Sequence, residues 1–262
     1  MRRCRQWLKA ALIAWMFLLG IMAVSVAMPA LGWILGRRAS AANESIVTNW
    51  NRAVCRILNL RLHITGKPDP DARLWVANHI SWLDIIALGS QLPCQFVAKG
   101  DVADWPVIGY IAKGIGTLFV KRGDSGQTTD TAELMVWRLR QGKRLLLFPE
   151  GTTTTGEKVL RFHGKLFQPA QRAGVSVQAI ALRYEGETAQ SVPFIGDDEF
   201  LPHLLKLLEA ERLDLWISFC PALPAGLERG EMARASHRQI AEALDPALAG
   251  ETSLAGQHAM QS

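Results

Sequence analysis

The sequence predicts an α/β fold, a mixed and largely parallel sheet flanked by helices, with an N-terminal membrane helix in front of it. Three observations carry this. The chain has 262 residues, enough for one full domain with its own hydrophobic core plus an appendage. From Leu60 onward short β-rich runs alternate with helical ones, the pattern of a largely buried, partly parallel sheet. Ahead of them, Ala10 to Leu35 is an uncharged run of 26 residues. At helical rise that is long enough to cross the roughly 30 Å hydrocarbon core of a bilayer with some tilt.

The N-terminal run reads as a membrane anchor over residues 1–39. Trp7 and Trp33 sit near its ends, where indole rings favour the head-group level. Arg2, Arg3, Arg5 and Lys9 precede it and Arg37 and Arg38 follow it, a placement that suits phospholipid head groups. A cleaved secretory signal competes, since Ala-Met-Pro-Ala at 27–30 loosely resembles a cleavage site, but the run exceeds the ~7–15 residues usual for such a signal. Positive charge on both flanks, with Pro29 and Gly32 as helix breakers, leaves both a spanning helix and a re-entrant, one-leaflet element open. Residues 40–59 follow as an amphipathic linking helix, with Ile46, Trp50, Val54, Ile57 and Leu58 on one stripe and Arg52 and Arg56 off it. That stripe suits the bilayer surface and the catalytic core equally.

A catalytic domain is expected over residues 60–249. Leu60 to Thr65, Leu74 to Ala77, Gln95 to Ala98, Thr117 to Lys121, Arg144 to Phe148, Val175 to Leu182 and Leu215 to Phe219 read as strands. Between them, Trp82 to Ser90, Trp105 to Lys113, Phe167 to Ala173, Leu201 to Ala210 and Glu231 to Leu244 read as helices. So does the stripe Ala132, Met135, Val136, Leu139, capped at Ser125. A frayed tail is expected at 250–262, small and polar in composition.

Composition narrows the partners. Hydrophobic residues are 49% and charged residues 20%, so neither disorder nor a polytopic membrane protein fits. The net charge of +5 and pI near 9.2 favour something anionic. With no basic and aromatic cluster outside the membrane-proximal region, no nucleic-acid partner is expected. Cys4, Cys55, Cys94 and Cys220 form no C-x-x-C pair, which argues against a disulfide scaffold or zinc site. No cluster of metal ligands appears elsewhere, so no metal is expected.

Two segments carry chemistry. Asn78-His79-Ile80-Ser81-Trp82-Leu83-Asp84 follows a strand and opens a helix, so the imidazole emerges at a strand's carboxyl end, where open α/β sheets place ligands. The first helical turn can bring the Asp84 carboxylate back to the ring, fixing its tautomer and stabilising the imidazolium that forms when the other nitrogen takes a proton from an alcohol. Alone, a His and an Asp at this spacing also describe a helix-capping histidine. Phe148-Pro149-Glu150-Gly151-Thr152 follows another apolar strand, and its Pro and Gly force an irregular turn where backbone amides and the Glu150 carboxylate can face a substrate. A lone Pro-Glu-Gly is otherwise an ordinary turn.

Together these segments resemble the phospholipid and glycerol acyltransferase family, whose bacterial members include the 1-acylglycerol-3-phosphate acyltransferases. The resemblance covers most of the chain. NHISWLD looks like the family's first block, which implies His79 as base and Asp84 as its partner, with Asn78 and Ser81 in support. Gly116-Thr117-Leu118-Phe119-Val120-Lys121-Arg122 looks like the second block, which implies that Lys121 and Arg122 bind the acceptor's phosphate, with Gly116 and Phe119 in support. FPEGT looks like the third, which implies Glu150, Gly151 and Thr152 in acceptor binding, shaped by Pro149. Lys99 is a further cation for the head group.

The implied reaction moves a fatty acyl group from acyl-CoA or acyl-ACP, co-substrates rather than cofactors, to the free hydroxyl of a lyso-lipid acceptor, 1-acylglycerol-3-phosphate first. Its place would be a bacterial-type inner membrane, among membrane lipids, with the catalytic domain facing the cytosol. Two departures bear on the acceptor. Thr153-Thr154-Thr155 stands where many relatives carry Arg after FPEGT, and Val175-Ser176-Val177 lacks the proline of the fourth block. Thr-rich third blocks also occur in lyso-ornithine lipid acyltransferases, which makes lyso-ornithine lipid the alternative acceptor. Two other classes compete: a non-catalytic membrane-binding relative, and a serine hydrolase using Ser125 of Gly-Asp-Ser-Gly. The second conflicts with the helix that Ser125 precedes and with the absence of a G-x-S-x-G elbow.

Overall fold

The computed structural model describes residues 2–120 and 125–245. Seven strands form one sheet: β1 (Leu60–Thr65), β2 (Ala72–Ala77), β3 (Gln95–Lys99), β4 (Leu118–Val120), β5 (Leu145–Leu147), β6 (Ser176–Glu185) and β7 (Leu213–Phe219). Their order is β1-β7-β6-β2-β5-β3-β4. Neighbours are parallel except β6 with β7. The seven runs read as strands from the sequence are these seven, with β6 carried on to Glu185 where Leu182 was expected as the end. Lys121 and Arg122, the tail from residue 250 and the side chain of Ser125 lie outside what the structure describes.

The sheet is covered on both faces. Trp75 and Ala77 of β2 join one apolar cluster and Leu74 and Val76 the other, as a strand's alternation requires. The first cluster is closed by α3 (Ala39–Leu58), α4 (Leu83–Gln91) and α8 (Phe200–Glu209). The second is closed by α6 (Ser125–Arg140), α7 (Gln168–Ala173) and α9 (Arg229–Leu244). A central strand with both faces buried has no polar side to show, which is why Leu74–Ala77 is apolar throughout.

The N-terminal run is helical as α1 (Arg2–Met22), a π-helical turn at Ala23–Ala27, and α2 (Met28–Leu35). Pro29 does not break it. A proline has no N–H to give the preceding turn, and the π turn just before it absorbs the misfit. The chain reverses at Gly36, whose φ of 53° suits glycine, and α3 runs back along α1. The Trp50 indole N–H donates to the Met16 carbonyl at 2.7 Å. Ile13 and Met16 are buried in the first cluster, and Lys9 donates to the Ala210 carbonyl at 2.8 Å. Trp7, Leu12, Trp15, Leu18, Leu19 and Met22 are exposed on the outer side. The stripe Trp50, Val54, Leu58 of α3 faces the domain.

One expected helix starts late. Trp105 is held extended (ψ 128°) by the proline that follows, so α5 (Ile108–Gly114) begins three residues after Trp105. A 3₁₀ turn at Gly100–Asp104 fills the gap after β3.

Candidate active site

The strand register brings the two motif segments side by side. Val76 of β2 pairs with Leu147 of β5, so His79 and Phe148 leave the sheet together at its carboxyl edge. Their rings stack, centroids 3.8 Å apart and planes 11° from parallel. β2 and β5 are central strands, so the edge that carries these rings is fixed from both sides.

Asp84, in the first turn of α4, is fully buried. Its Oδ2 accepts from His79 Nδ1 at 2.8 Å and from the backbone N–H groups of Ile80 (2.7 Å) and Ser81 (2.9 Å). Its Oδ1 accepts from the Tyr184 hydroxyl at 2.9 Å. A carboxylate in its charged form only accepts, so in the neutral ring this bond places the proton on Nδ1 and leaves the lone pair on Nε2. Asn78 is locked by a reciprocal pair: its Nδ2 donates to the Leu182 carbonyl (2.9 Å) and its Oδ1 accepts from Leu182 N–H (2.8 Å).

Glu150 faces inward. Its Oε1 accepts from His79 N–H and its Oε2 from Leu160 N–H, both at 2.8 Å. Burial pushes its carboxyl pKa up, against the two backbone hydrogen bonds and the nearby imidazole. With both oxygens so engaged and 3% exposure, this side chain pins backbone on either side of the site. Thr154 adds a second pin, its N–H donating to the His79 carbonyl at 2.9 Å. Thr153 Oγ1 donates to the Phe194 carbonyl, and Phe194 N–H donates to the Ile80 carbonyl at 3.0 Å. The threonines that replace the expected arginine therefore tie the histidine turn to the segment before α8.

His79 lines a cavity of about 580 Å³. Its lining is mostly apolar, with Phe17 and Gly20 of α1, Trp50 of α3, Ile86 of α4 and Ile111 of α5, and the charged groups bordering it include Lys99, Asp101 and Asp198. Gly151, Thr152 and Thr153 border the same space. Gly151 turns the chain there with a φ of 69°. Pro149 is buried beneath the turn, and its carbonyl accepts from His163 N–H at 3.0 Å.

Gly116 and Phe119 are not brought to this cavity. Gly116 stands just before β4, between Ile115 and Thr117, which do line the cavity, with its carbonyl accepting from Arg138 at 2.8 Å. Phe119 is within β4 and its carbonyl accepts from Thr131. Among the described residues no group of three His, Cys, Asp or Glu side chains could hold a metal ion.

The residues that sequence reasoning missed are Tyr184, Phe148 as the ring under the imidazole, and Leu160 as the second amide on Glu150. Tyr184 lies 100 positions from Asp84, beyond the expected end of its strand, and nothing local announces it. Leu160 contributes only backbone, which leaves no residue-type signal.

Comparison with known proteins gives the family and the fold. The family model described as Acyltransferase matches residues 62–183. The chain is 37% identical to a lyso-ornithine lipid O-acyltransferase of Pseudomonas aeruginosa over 87% of this chain and 90% of that protein. It is 33% identical to a 1-acyl-sn-glycerol-3-phosphate acyltransferase of Neisseria meningitidis over 66% and 69%. The fold is shared with the crystal structure of the 1-acyl-sn-glycerophosphate (LPA) acyltransferase PlsC from Thermotoga maritima. Their TM-score is 0.62 at 16% identity, covering 92% of this chain and 96% of that one. The chain belongs to the acyltransferase family.

Proposed function

We propose that the protein transfers a fatty acyl group from a thioester donor, acyl-CoA or acyl-ACP, to the free hydroxyl of a lyso-lipid, with His79 as general base and Asp84 as its partner. The observation that carries this is the 2.8 Å hydrogen bond from His79 Nδ1 to a buried carboxylate at the rim of a large apolar cavity. His79 Nε2 takes the hydroxyl proton while the oxygen bonds to the thioester carbon. The carbon–sulfur bond then breaks, and the imidazolium, stabilised by Asp84, returns the proton to the leaving thiolate. Acceptor and donor complete the reaction without a nucleophilic side chain or a bound cofactor.

Glu150 is proposed as a positioning residue that holds the His79 backbone, with Gly151 and Thr152 along the acceptor's path. The acceptor the site favours is lyso-ornithine lipid. Ornithine presents a carboxylate and an ammonium, and the cavity carries Lys99 together with Asp101 and Asp198. The likeness to the Pseudomonas protein supports the same choice. A 1-acylglycerol-3-phosphate acceptor is the second reading, favoured by Lys99, by the sequence of Lys121 and Arg122, and by the likeness to the Neisseria protein.

The lyso-lipid would come from the membrane itself. The exposed apolar side of α1 and α2 is proposed to lie in one leaflet, since the opposite side is packed on the domain from Lys9 to Met16. The bacterial inner membrane, with the domain on the cytosolic side where the donors are, is the proposed location.

The test offers the purified protein lyso-ornithine lipid, lysophosphatidate and other lysophospholipids in parallel, with both donors, and identifies products by mass. Diacylated ornithine lipid as the main product supports the favoured acceptor, and phosphatidate as the main product replaces it with the second. No O-acylated product from any of them would refute the proposal.

A further inference from the structure

We propose that Tyr184 is a positioning residue of the catalytic pair, its hydroxyl donating to Asp84 Oδ1 and holding that carboxylate aimed at His79. This rests on the reading of His79 as base and Asp84 as its partner.

The argument starts from Asp84. Its carboxylate is fully buried, and an anion there persists only if both oxygens are supplied with donors. Oδ2 receives three, from His79 Nδ1, Ile80 N–H and Ser81 N–H. Oδ1 receives the Tyr184 hydroxyl, delivered by β6, the strand next to β2, on the face of the sheet that α4 covers. Asn78, which grips the backbone of Leu182 two residues earlier on β6, fixes the distance across which the phenol reaches.

The phenol is suited to this. Its burial, and then the adjacent Asp84 charge, hold its ionisation well above the usual tyrosine range, so it remains a donor wherever the enzyme works. A hydrogen-bond donor on a carboxylate oxygen favours the charged form of the carboxylate over the protonated one. That matters because Asp84 must stay ionised while His79 shuttles. It also fixes which oxygen faces the imidazole, because a carboxylate bound at both ends cannot rotate.

A residue that merely filled the core would do none of this, and phenylalanine would replace it. The two roles separate in the pH profile. Without the hydroxyl the pair binds a proton more tightly, so the acid limb of kcat/KM moves to higher pH. Loss of packing alone lowers the rate equally at every pH.

The experiment uses the full chain in detergent, with the acceptor and thioester that the wild type turns over, and five proteins: wild type, Tyr184→Phe, Asp84→Asn, the double variant and His79→Ala. Tyr184→Phe is expected to lower kcat about tenfold with KM within about twofold. Its acid limb moves up by about half a pH unit or more. In the Asp84→Asn background the same change costs less than about twofold, because the tyrosine acts through that carboxylate. A pH-independent loss, or a full tenfold loss persisting in the double variant, overturns the proposal. Wild-type turnover by His79→Ala would instead remove the base on which it rests, a distinguishable failure. Should Tyr184→Phe not fold, the two-tyrosine composition gives a second route. With exposed Tyr110 replaced by Phe, fluorotyrosine supplied during growth labels position 184 alone. The more acidic phenol donates more strongly, so the acid limb moves down. A limb that stays in place overturns the proposal.

Discussion

Asp84 and Glu150 are both buried carboxylates hydrogen-bonded to His79, and their surroundings give them different work. Asp84 holds the ring, while Glu150 holds the backbone that carries the ring and the amide of Leu160. Asp84→Asn keeps the shape but turns one acceptor oxygen into an NH2 that faces donors, so turnover should fall by about two to four orders of magnitude, with a loss of about 1–3 kcal/mol of unfolding free energy beside it. Turnover equal to wild type would remove the orienting role. Glu150→Gln can accept through one atom where two amides point, so it should lose about 1–3 kcal/mol of unfolding free energy together with at least tenfold in kcat. A variant as stable as wild type in denaturant titrations would show that the two amides are satisfied some other way. His79 and Asp84 stood out in the sequence only because the turn at 148–152 accompanied them; their spacing after a strand would by itself also describe a helix-capping histidine. Glu150 was legible as a residue of interest, but its partners are main-chain amides, which no residue type records.

The segment between β6 and α8 closes one side of the cavity, and His203 of α8 is what fastens it. Its Nδ1 accepts from the Trp82 indole at 3.0 Å and its Nε2 faces the Pro193 carbonyl at 3.2 Å, an arrangement that uses the neutral ring. Burial lowers its pKa below the ordinary histidine value. The unfolded chain therefore binds a proton that the folded one resists, so this contribution is present above about pH 6.5 and is lost as pH falls below it. His203→Gln should flatten the decline in stability between about pH 6.5 and 5, where a single such group contributes at most ~1.4 kcal/mol per pH unit. Parallel declines for variant and wild type in thermal melts would assign the sensitivity elsewhere. At the level of elements the sequence was most readable where periodicity is local, as in the seven strands. It was least readable where a proline or a distant contact intervenes: Trp105 is kept out of α5 by Pro106, and β6 extends to Tyr184 because its partner strand β7 continues opposite it.

The molecule as a whole is a sheet sandwiched between helices, with a helical hairpin laid along one flank. Composition marked residues 1–39 as a membrane anchor but could not reveal how they pack, because α1 is apolar on the side that meets the core and on the side that does not. Placing charge on the outer side, as Trp15→Glu with Leu19→Glu, should lower binding to anionic lipid vesicles about tenfold or more and leave the melting temperature unchanged. Binding unaffected by these changes would mean that this surface does not meet lipid. In the proposed mechanism acyl transfer depends on the imidazole at the carboxyl edge of β2. The most direct measurement is therefore single-turnover acyl transfer by purified His79→Ala beside wild type, with the same thioester and lyso-lipid. A fall of at least a thousandfold in a variant of unchanged melting temperature is expected. Transfer at the wild-type rate would contradict the assignment of His79 as base.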